Sequence, residues 1–201
     1  METLDGYLTR LAGSGATPGG GSAAMFVAAA GAALVAMVAR ICAGNPKYGE
    51  HATLLERTLA DAERLREEFA AARVRDETAY ERVVAAQALA PGDGRRAQLD
   101  AALFAAAAVP LESAGHALHG LHLASDLLAV GNRSLASDVG CAAEFFGAAI
   151  AACAYNVLVN HRYMKERDGT SEQAQQLDAV ETEGRRRLHD VRAGVAALLA
   201  R

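Results

Sequence analysis

The stretch Ala16-Thr17-Pro18-Gly19-Gly20-Gly21-Ser22-Ala23-Ala24 runs into an apolar segment that carries no charge as far as Ala39. Three consecutive glycines weaken any regular structure they merely form part of, yet they let another group approach the backbone closely. Set directly before a long apolar run, they read as a loop that opens a helix. Free N–H groups at such a helix start, reinforced by the helix dipole, make a cradle for an anion or a carbonyl. Ser22 either adds a hydroxyl to that cradle or is only the helix cap. The pattern is not a Walker A loop, because no lysine follows, nor a dinucleotide fingerprint, because the preceding Leu4 to Leu11 reads as helix rather than strand.

The chain of 201 residues is long enough for one domain with a substantial core, and residues 1–201 are read as a single domain. Hydrophobic residues make up 52% but aromatics only 5%, and much of the apolar content is alanine, which favours closely packed helices over strands. The expected fold class is therefore all-α, an up-and-down bundle of long helices. A formal net charge of −4 gives no basic surface for nucleic acid, so none is expected as a partner. Cys42, Cys141 and Cys153 are odd in number, lack metal-ligand spacing and lie in apolar helical contexts; they read as buried, reduced thiols of a cytoplasmic protein. The uncharged run is nearly long enough to span a bilayer, but it is mostly Ala and Gly and no basic n-region precedes it. A buried central helix, not a membrane span, is the expectation.

Leu4, Tyr7, Leu8 and Leu11 fall at helical spacing and predict a short first helix ending near Gly13. The apolar helix should stop at Gly44-Asn45-Pro46, leaving Lys47 and Tyr48 in an exposed turn. From about His51 to Leu89 a charged, amphipathic helix keeps one stripe through Leu54, Leu55, Leu59, Ala62, Leu65, Phe69 and Ala72. Pro91-Gly92-Asp93-Gly94 breaks it, and helical periodicity resumes from Arg95 to about Leu123, with Pro110 expected to kink or divide it. Gly131 to Ser137 reads as a polar loop, Asp138 to about Lys165 as a second mostly apolar helix, and Ser171 to Leu199 as the last. Two helices apolar on nearly every face exceed what one small bundle needs, which predicts a homo-oligomer, most simply a dimer.

Several polar residues stand out against this background. His116, His119 and His122 recur at three-residue spacing but rotate away from one another and have no acidic or cysteine partner at matching spacing, so no metal is expected. Asn156 and Asn160 share one face of an apolar helix; they either bond neighbouring helices or present amides to a heterocycle with donor and acceptor edges. Asn132, Ser137 and Asp138 stand at the start of that helix, where Asp138 complements the dipole. Asp76, beside Glu77 in the long charged helix, reads by default as part of a solvated face.

Taken in order, Thr17-Pro18-Gly19-Gly20-Gly21-Ser22, Lys47-Tyr48, Asp76, Val109-Pro110-Leu111, Gly131-Asn132, Ser137-Asp138 and Asn156-Val157 with Asn160 resemble the formiminotransferase-cyclodeaminase family. The resemblance is to its cyclodeaminase domain and to the stand-alone methenyltetrahydrofolate cyclohydrolases of that fold. It implies an all-helical, dimeric enzyme of one-carbon metabolism with a tetrahydrofolate derivative as substrate and no separate cofactor. Two reactions are implied: hydrolysis of 5,10-methenyltetrahydrofolate to 10-formyltetrahydrofolate, or cyclisation of 5-formiminotetrahydrofolate with loss of ammonia. Both pass through a tetrahedral carbon between nitrogens and need proton transfer. The resemblance implies Asp138 or Asp76 as the proton shuttle and substrate contacts from Pro18, Gly19, Gly20, Gly21, Ser22, Tyr48, Asn132, Ser137, Asn156 and Asn160, with Lys47 attracting the glutamate tail. The chain departs from the family pattern at Leu89-Ala90-Pro91-Gly92, where a Leu-Pro-Lys element is usual, and in a less basic turn at Gly44 to Tyr48; the alternatives these departures leave are a non-catalytic helical dimer that binds a ligand or partner, or an enzyme of the same fold acting on a non-folate amidine or imine.

Overall fold

The computed structural model describes residues 2–200, which form six α-helices and two short 3-10 turns, with no strand among them. The helices are α1 (Leu4–Leu11), α2 (Gly20–Ala43), α3 (Ala52–Gln87), α4 (Asp93–Val130), α5 (Ala136–Tyr163) and α6 (Thr170–Leu199). Short connections make successive long helices antiparallel. Helices α2 to α5 close into a four-membered up-and-down ring, α6 covers the α4 and α5 side, and α1 folds across the start of α2.

Small residues bring the helices close. Phe146 of α5 is fully buried with its ring lodged between Gly31 of α2 and Gly120 of α4. A side-chain carbon at Gly120 would fall 2.5 Å from Phe146 Cε1, so the α4–α5 approach depends on the missing Cβ. The α3 stripe behaves largely as its spacing predicts: Leu55, Ala62, Leu65, Phe69 and Ala72 are buried, while Leu54 and Leu59 pack at the edge of the core. Across the exposed side of the α3–α4 seam runs an antiparallel ladder, Arg57–Asp126 at 3.5 Å, Asp61–His119 at 4.0 Å, Glu68–His116 at 3.5 Å and Arg75–Glu112 at 3.2 Å.

Several expectations need correction. Helix α4 is not divided at Pro110 and does not end near Leu123. It runs for 38 residues to Val130 with Pro110 buried among its packed neighbours, which offset the one ladder bond that proline cannot make. The turn after α2 is a 3-10 segment, Pro46–His51, whose Tyr48 is buried rather than exposed, while Lys47 stays exposed as expected, its Nζ 5.5 Å from the Tyr48 ring centre. Helix α5 begins at Ala136, so Ser137 and Asp138 lie inside its first turn. Cys42 and Cys153 are buried, but Cys141 is exposed. Helices α2 and α4 and the segment Arg133–Tyr163 are long and apolar enough to cross a bilayer by length and composition. Here they pack against one another around a common core.

Past α5, the chain is pinned by Asp100, a buried carboxylate that accepts the Lys165 and Glu166 N–H groups at 3.0 and 3.1 Å and pairs with Arg96. Burial works against its ionisation, but Arg96 and the two N–H groups prevail and hold its pKa below the ordinary carboxylate value. Arg96 also donates to the Tyr163 carbonyl at 2.8 Å, which fixes the end of α5.

Replacing Gly120 by Ala tests the close α4–α5 contact. Overpacking against the Phe146 ring costs about 1–3 kcal/mol, more than the roughly 1 kcal/mol that alanine gains in a helix. Gly120→Ala should therefore unfold at lower urea concentration than wild type; an unchanged or higher midpoint would mean that the ring yields freely.

Candidate active site

The first turn of α2 holds the site. Gly19 is its N-cap and makes no side-chain cap bond, and the earliest helical bond is from Ala23 N–H to the Gly19 carbonyl at 3.0 Å. The preceding N–H groups are thus free of the helix ladder. Asp76 of α3 approaches this turn so closely that a side-chain carbon at Gly21 would lie 2.6 Å from its Oδ2. The Ser22 N–H donates to the same carboxylate. An anion does sit at the glycine cradle, and it is the protein's own.

Ser22 is no cap. It lies within α2, fully buried, its hydroxyl 3.0 Å from the Tyr7 hydroxyl and 2.9 Å from Glu77 Oε1, to which it donates. Arg73 and Arg10 both reach Glu77 at 3.3 Å, Arg73 lies 4.7 Å from the centre of the Tyr7 ring, and Tyr7 stacks on Phe26 at 5.3 Å. Through this network α1 is latched over the glycine turn. Pro18 is likewise buried beneath it.

Asp76 is not on a solvated face. Burial pushes its pKa up to about 6, the Ser22 N–H opposes the rise, and the neighbouring Glu77 charge adds to it. Behind it Cys153 is buried, and burial together with the Asp76 charge pushes that thiol up to about 12, so it stays protonated at neutral pH. In front of Asp76 opens a cleft of about 270 Å³ lined by Thr17, Gly19 to Gly21, Tyr80, Ala106, Asn156, Val159 and Asn160. The two asparagines do not bond neighbouring helices. Asn156 Nδ2 donates to the Ala152 carbonyl and Asn160 Nδ2 to the Asn156 carbonyl, both at 2.8 Å, which locks the amides and leaves both Oδ1 atoms without a protein partner among the described residues. Asn156 packs over Gly20, 3.7 Å from where a Cβ would stand.

The other candidate residues lie elsewhere. Asp138 is 18 residues before Asn156 on the same helix, about 27 Å along its axis. Lys47, Tyr48 and Asn132 line a separate hollow at the opposite end of the bundle, with Gly131, Arg133 and Ser134. There Asn132 donates to Cys42 Sγ at 3.3 Å and caps Ser134 N–H at 3.1 Å, and Ser137 is exposed nearby in the first turn of α5. Within one chain, then, Asp76, Gly19 to Gly21, Asn156 and Asn160 meet, whereas Asp138, Ser137, Asn132, Lys47 and Tyr48 do not join them. Tyr80 is not evident from the sequence, although it stands one helical turn after Asp76 and is half-exposed on the cleft wall. The three histidines do not converge: His116 and His119 face acids of α3, while burial and Arg187 lower the pKa of His122, beside α6.

A raised carboxyl, a glycine-opened helix start and fixed amides around one cleft of a helical bundle are the framework of an acid–base site. The chain belongs to the formiminotransferase-cyclodeaminase family, whose model matches residues 3–179. It is similar to the methenyltetrahydrofolate cyclohydrolase of Methylorubrum extorquens, with 33% identity over 184 residues that cover 89% of this chain and 88% of that protein. The fold matches the crystal structure of formiminotetrahydrofolate cyclodeaminase from Thermotoga maritima with a TM-score of 0.90 at 25% identity, covering 98% of this chain and 97% of that one.

The Asp76 environment makes a pH signature. In an unfolded chain the carboxyl titrates near ~4, and in the folded protein at about 6, so the folded state holds the proton more tightly. Its contribution to stability is complete below pH ~4 and is lost as pH rises through about 6. Asp76→Asn should abolish this loss, gaining stability relative to wild type between about pH 4 and pH 7 in a series of urea titrations. A difference between the two proteins that is flat across that range would assign the titration to another group.

Proposed function

We propose that the chain is a one-carbon folate enzyme in which Asp76 moves the proton, and that of the family's two reactions it carries out the hydrolysis of 5,10-methenyltetrahydrofolate. The observation that carries this reading is the Asp76 carboxyl itself, raised to about 6 and set by α3 against the N-terminal turn of α2 on the wall of the cleft. A pKa near the working pH suits a group that must both take and return a proton. Similarity to a cyclohydrolase over most of both chains favours hydrolysis over deamination.

The substrate's methenyl bridge is a cationic amidinium, which a buried carboxylate attracts and which in turn favours the ionised Asp76. Ionised Asp76 takes a proton from water as the oxygen adds to the methenyl carbon. The tetrahedral carbinol then collapses: Asp76 returns its proton to the pterin-side nitrogen, that carbon–nitrogen bond breaks as the carbinol oxygen becomes the carbonyl, the hydroxyl proton passes to water as the net proton released, and the formyl group remains on the aniline nitrogen. The free Oδ1 atoms of Asn156 and Asn160 accept N–H groups of the pterin, and Tyr80 offers a ring for stacking. Each step uses only groups of the protein and water, in line with the reading that no separate cofactor is needed.

A dimer gives the distant cluster a role. Apolar side chains are exposed along one face of α2 and α5, among them Phe26, Ile41, Phe145, Val159 and Tyr155, the last 74% exposed. Self-association over this face would cover it. The glycine-turn cleft lies at one end of the face and Lys47, Asn132 and Asp138 at the other. An antiparallel two-fold pairing would bring the second cluster of one copy toward the cleft of the other. Nothing in this reading involves nucleic acid or a membrane, and a cytoplasmic location suits the free thiols.

The first test follows the ultraviolet decay of 5,10-methenyltetrahydrofolate with purified protein, alongside methenyl formation from 5-formiminotetrahydrofolate. Hydrolysis should be accelerated, and Asp76→Asn should lower kcat by roughly 10²–10⁴-fold. Acceleration of the second reaction alone would reverse the choice of reaction, and acceleration of neither would overturn the enzymatic reading. If the cleft is shared between copies, Asp76→Asn and Asp138→Asn are each impaired, and subunits mixed after reversible unfolding regain about a quarter of wild-type turnover, since half the dimers carry one intact site of two. No regain on mixing would sink the shared site.

A further inference from the structure

Next to the cleft, where α5 gives way to α6, lies a pocket of about 570 Å³ whose walls include Val159, His161, Arg162, Arg167 and Ser171. Val159 belongs to this pocket and to the Asp76 cleft alike, so the two open on either side of a single side chain. Most arginines of this acidic chain are engaged by carboxylates, as in the pairs with Glu2, Glu63, Asp61, Asp100, Glu183 and Glu144. Arg162 and Arg167 have no acidic partner within 4.0 Å among the described residues, and Glu166 and Asp168, the acids of the same loop, do not line the pocket.

The two guanidinium groups are presented from anchored backbone. Asp100 holds the Lys165 and Glu166 N–H groups, Arg96 holds the Tyr163 carbonyl, and Thr170 Oγ1 donates to the Arg167 carbonyl at 2.8 Å. Beneath them His161, itself buried, is fixed by a 2.7 Å bond to the buried Gln173. Such an anchored, unpaired pair of arginines matches a ligand that carries more than one carboxylate, because guanidinium binds carboxylate through two parallel hydrogen bonds.

We propose that this pocket is the subsite for the carboxylates of the substrate's γ-linked glutamate tail, held by Arg162 and Arg167 while the one-carbon unit faces Asp76. The proposal rests on the folate reading above. Its geometry follows from α5: Asn156 in the cleft and Arg162 in the pocket are six residues apart, about 9 Å along the helix axis, a separation that the aminobenzoyl spacer between pterin and glutamate can bridge.

Titration calorimetry with p-aminobenzoyl-γ-triglutamate, a probe that lacks the pterin and needs no turnover, tests it on the intact protein. Wild type should bind, Arg162→Ala and Arg167→Ala should each weaken binding roughly tenfold, and the double variant more. Arg57→Ala, in the exposed α3–α4 ladder, should bind as wild type does. In turnover, the double variant should raise KM for the triglutamate form of 5,10-methenyltetrahydrofolate while leaving kcat, and KM for a tail-free analogue, within about twofold. Equal probe binding by wild type and the double variant, no binding by wild type, or an equal loss in Arg57→Ala would each overturn the subsite. Failure of wild type to turn over either folate would overturn the enzymatic reading, and the binding comparison would still decide the subsite by itself.

Discussion

The contact between the Asp76 carboxylate and the backbone of Gly21 is the constraint on which the rest of the molecule turns. A buried carboxylate needs compensation, and here it comes from an N-terminal helix turn whose N–H groups have no partner in the helix ladder. The compensation is incomplete, which is why burial prevails and the pKa rises to about 6. Full compensation would leave an ordinary, permanently ionised structural anion. The partial kind leaves a group whose proton can be lost and regained.

That contact is possible only because the turn carries glycines and because α1 is tied down over it. The Tyr7–Ser22–Glu77 chain, with Arg73 and Arg10 closing on Glu77, joins α1, α2 and α3 at one point. Its members hold the turn in place rather than face the cleft. The same economy of side-chain volume operates deeper in the bundle, where Gly31 and Gly120 admit the Phe146 ring and alanines dominate the helix contacts. Close backbone approach makes a slender bundle, and a slender bundle of apolar helices leaves part of α2 and α5 uncovered.

How far the sequence can be read depends on whether the signal is local. Helix starts and stops at Gly13, Gly44 to Pro46 and Pro91 to Gly94 are punctuated by residues that act on their own backbone, and these boundaries are legible to within a few residues. Pro110 misleads as a helix divider, since α4 continues through it with the ring buried among packed neighbours. Of the candidate site residues, Asp76, the glycines and the two asparagines do share a cleft, but Asp138 and Asn132 stand apart at the far end because α5 is a rigid rod about 42 Å long. Order along the chain groups Asp138 with Asn156 and Asn160 on one helix, and only the helix's length in space separates them.

The sequence by itself determined the helical class, the order and rough length of the elements, and a glycine-opened helix able to receive an anion, all of which follow from backbone propensity and hydrophobic period. Tertiary structure alone decided that the anion is Asp76, that Ser22 is a buried strut, that Tyr48 is inside and Cys141 outside, and that two arginines with no carboxylate partner among the described residues line the pocket beside the cleft. The physical reason is that burial and partnership are properties of pairs of elements. A carboxylate on α3 acquires its pKa from α2, and no window along one helix contains that information.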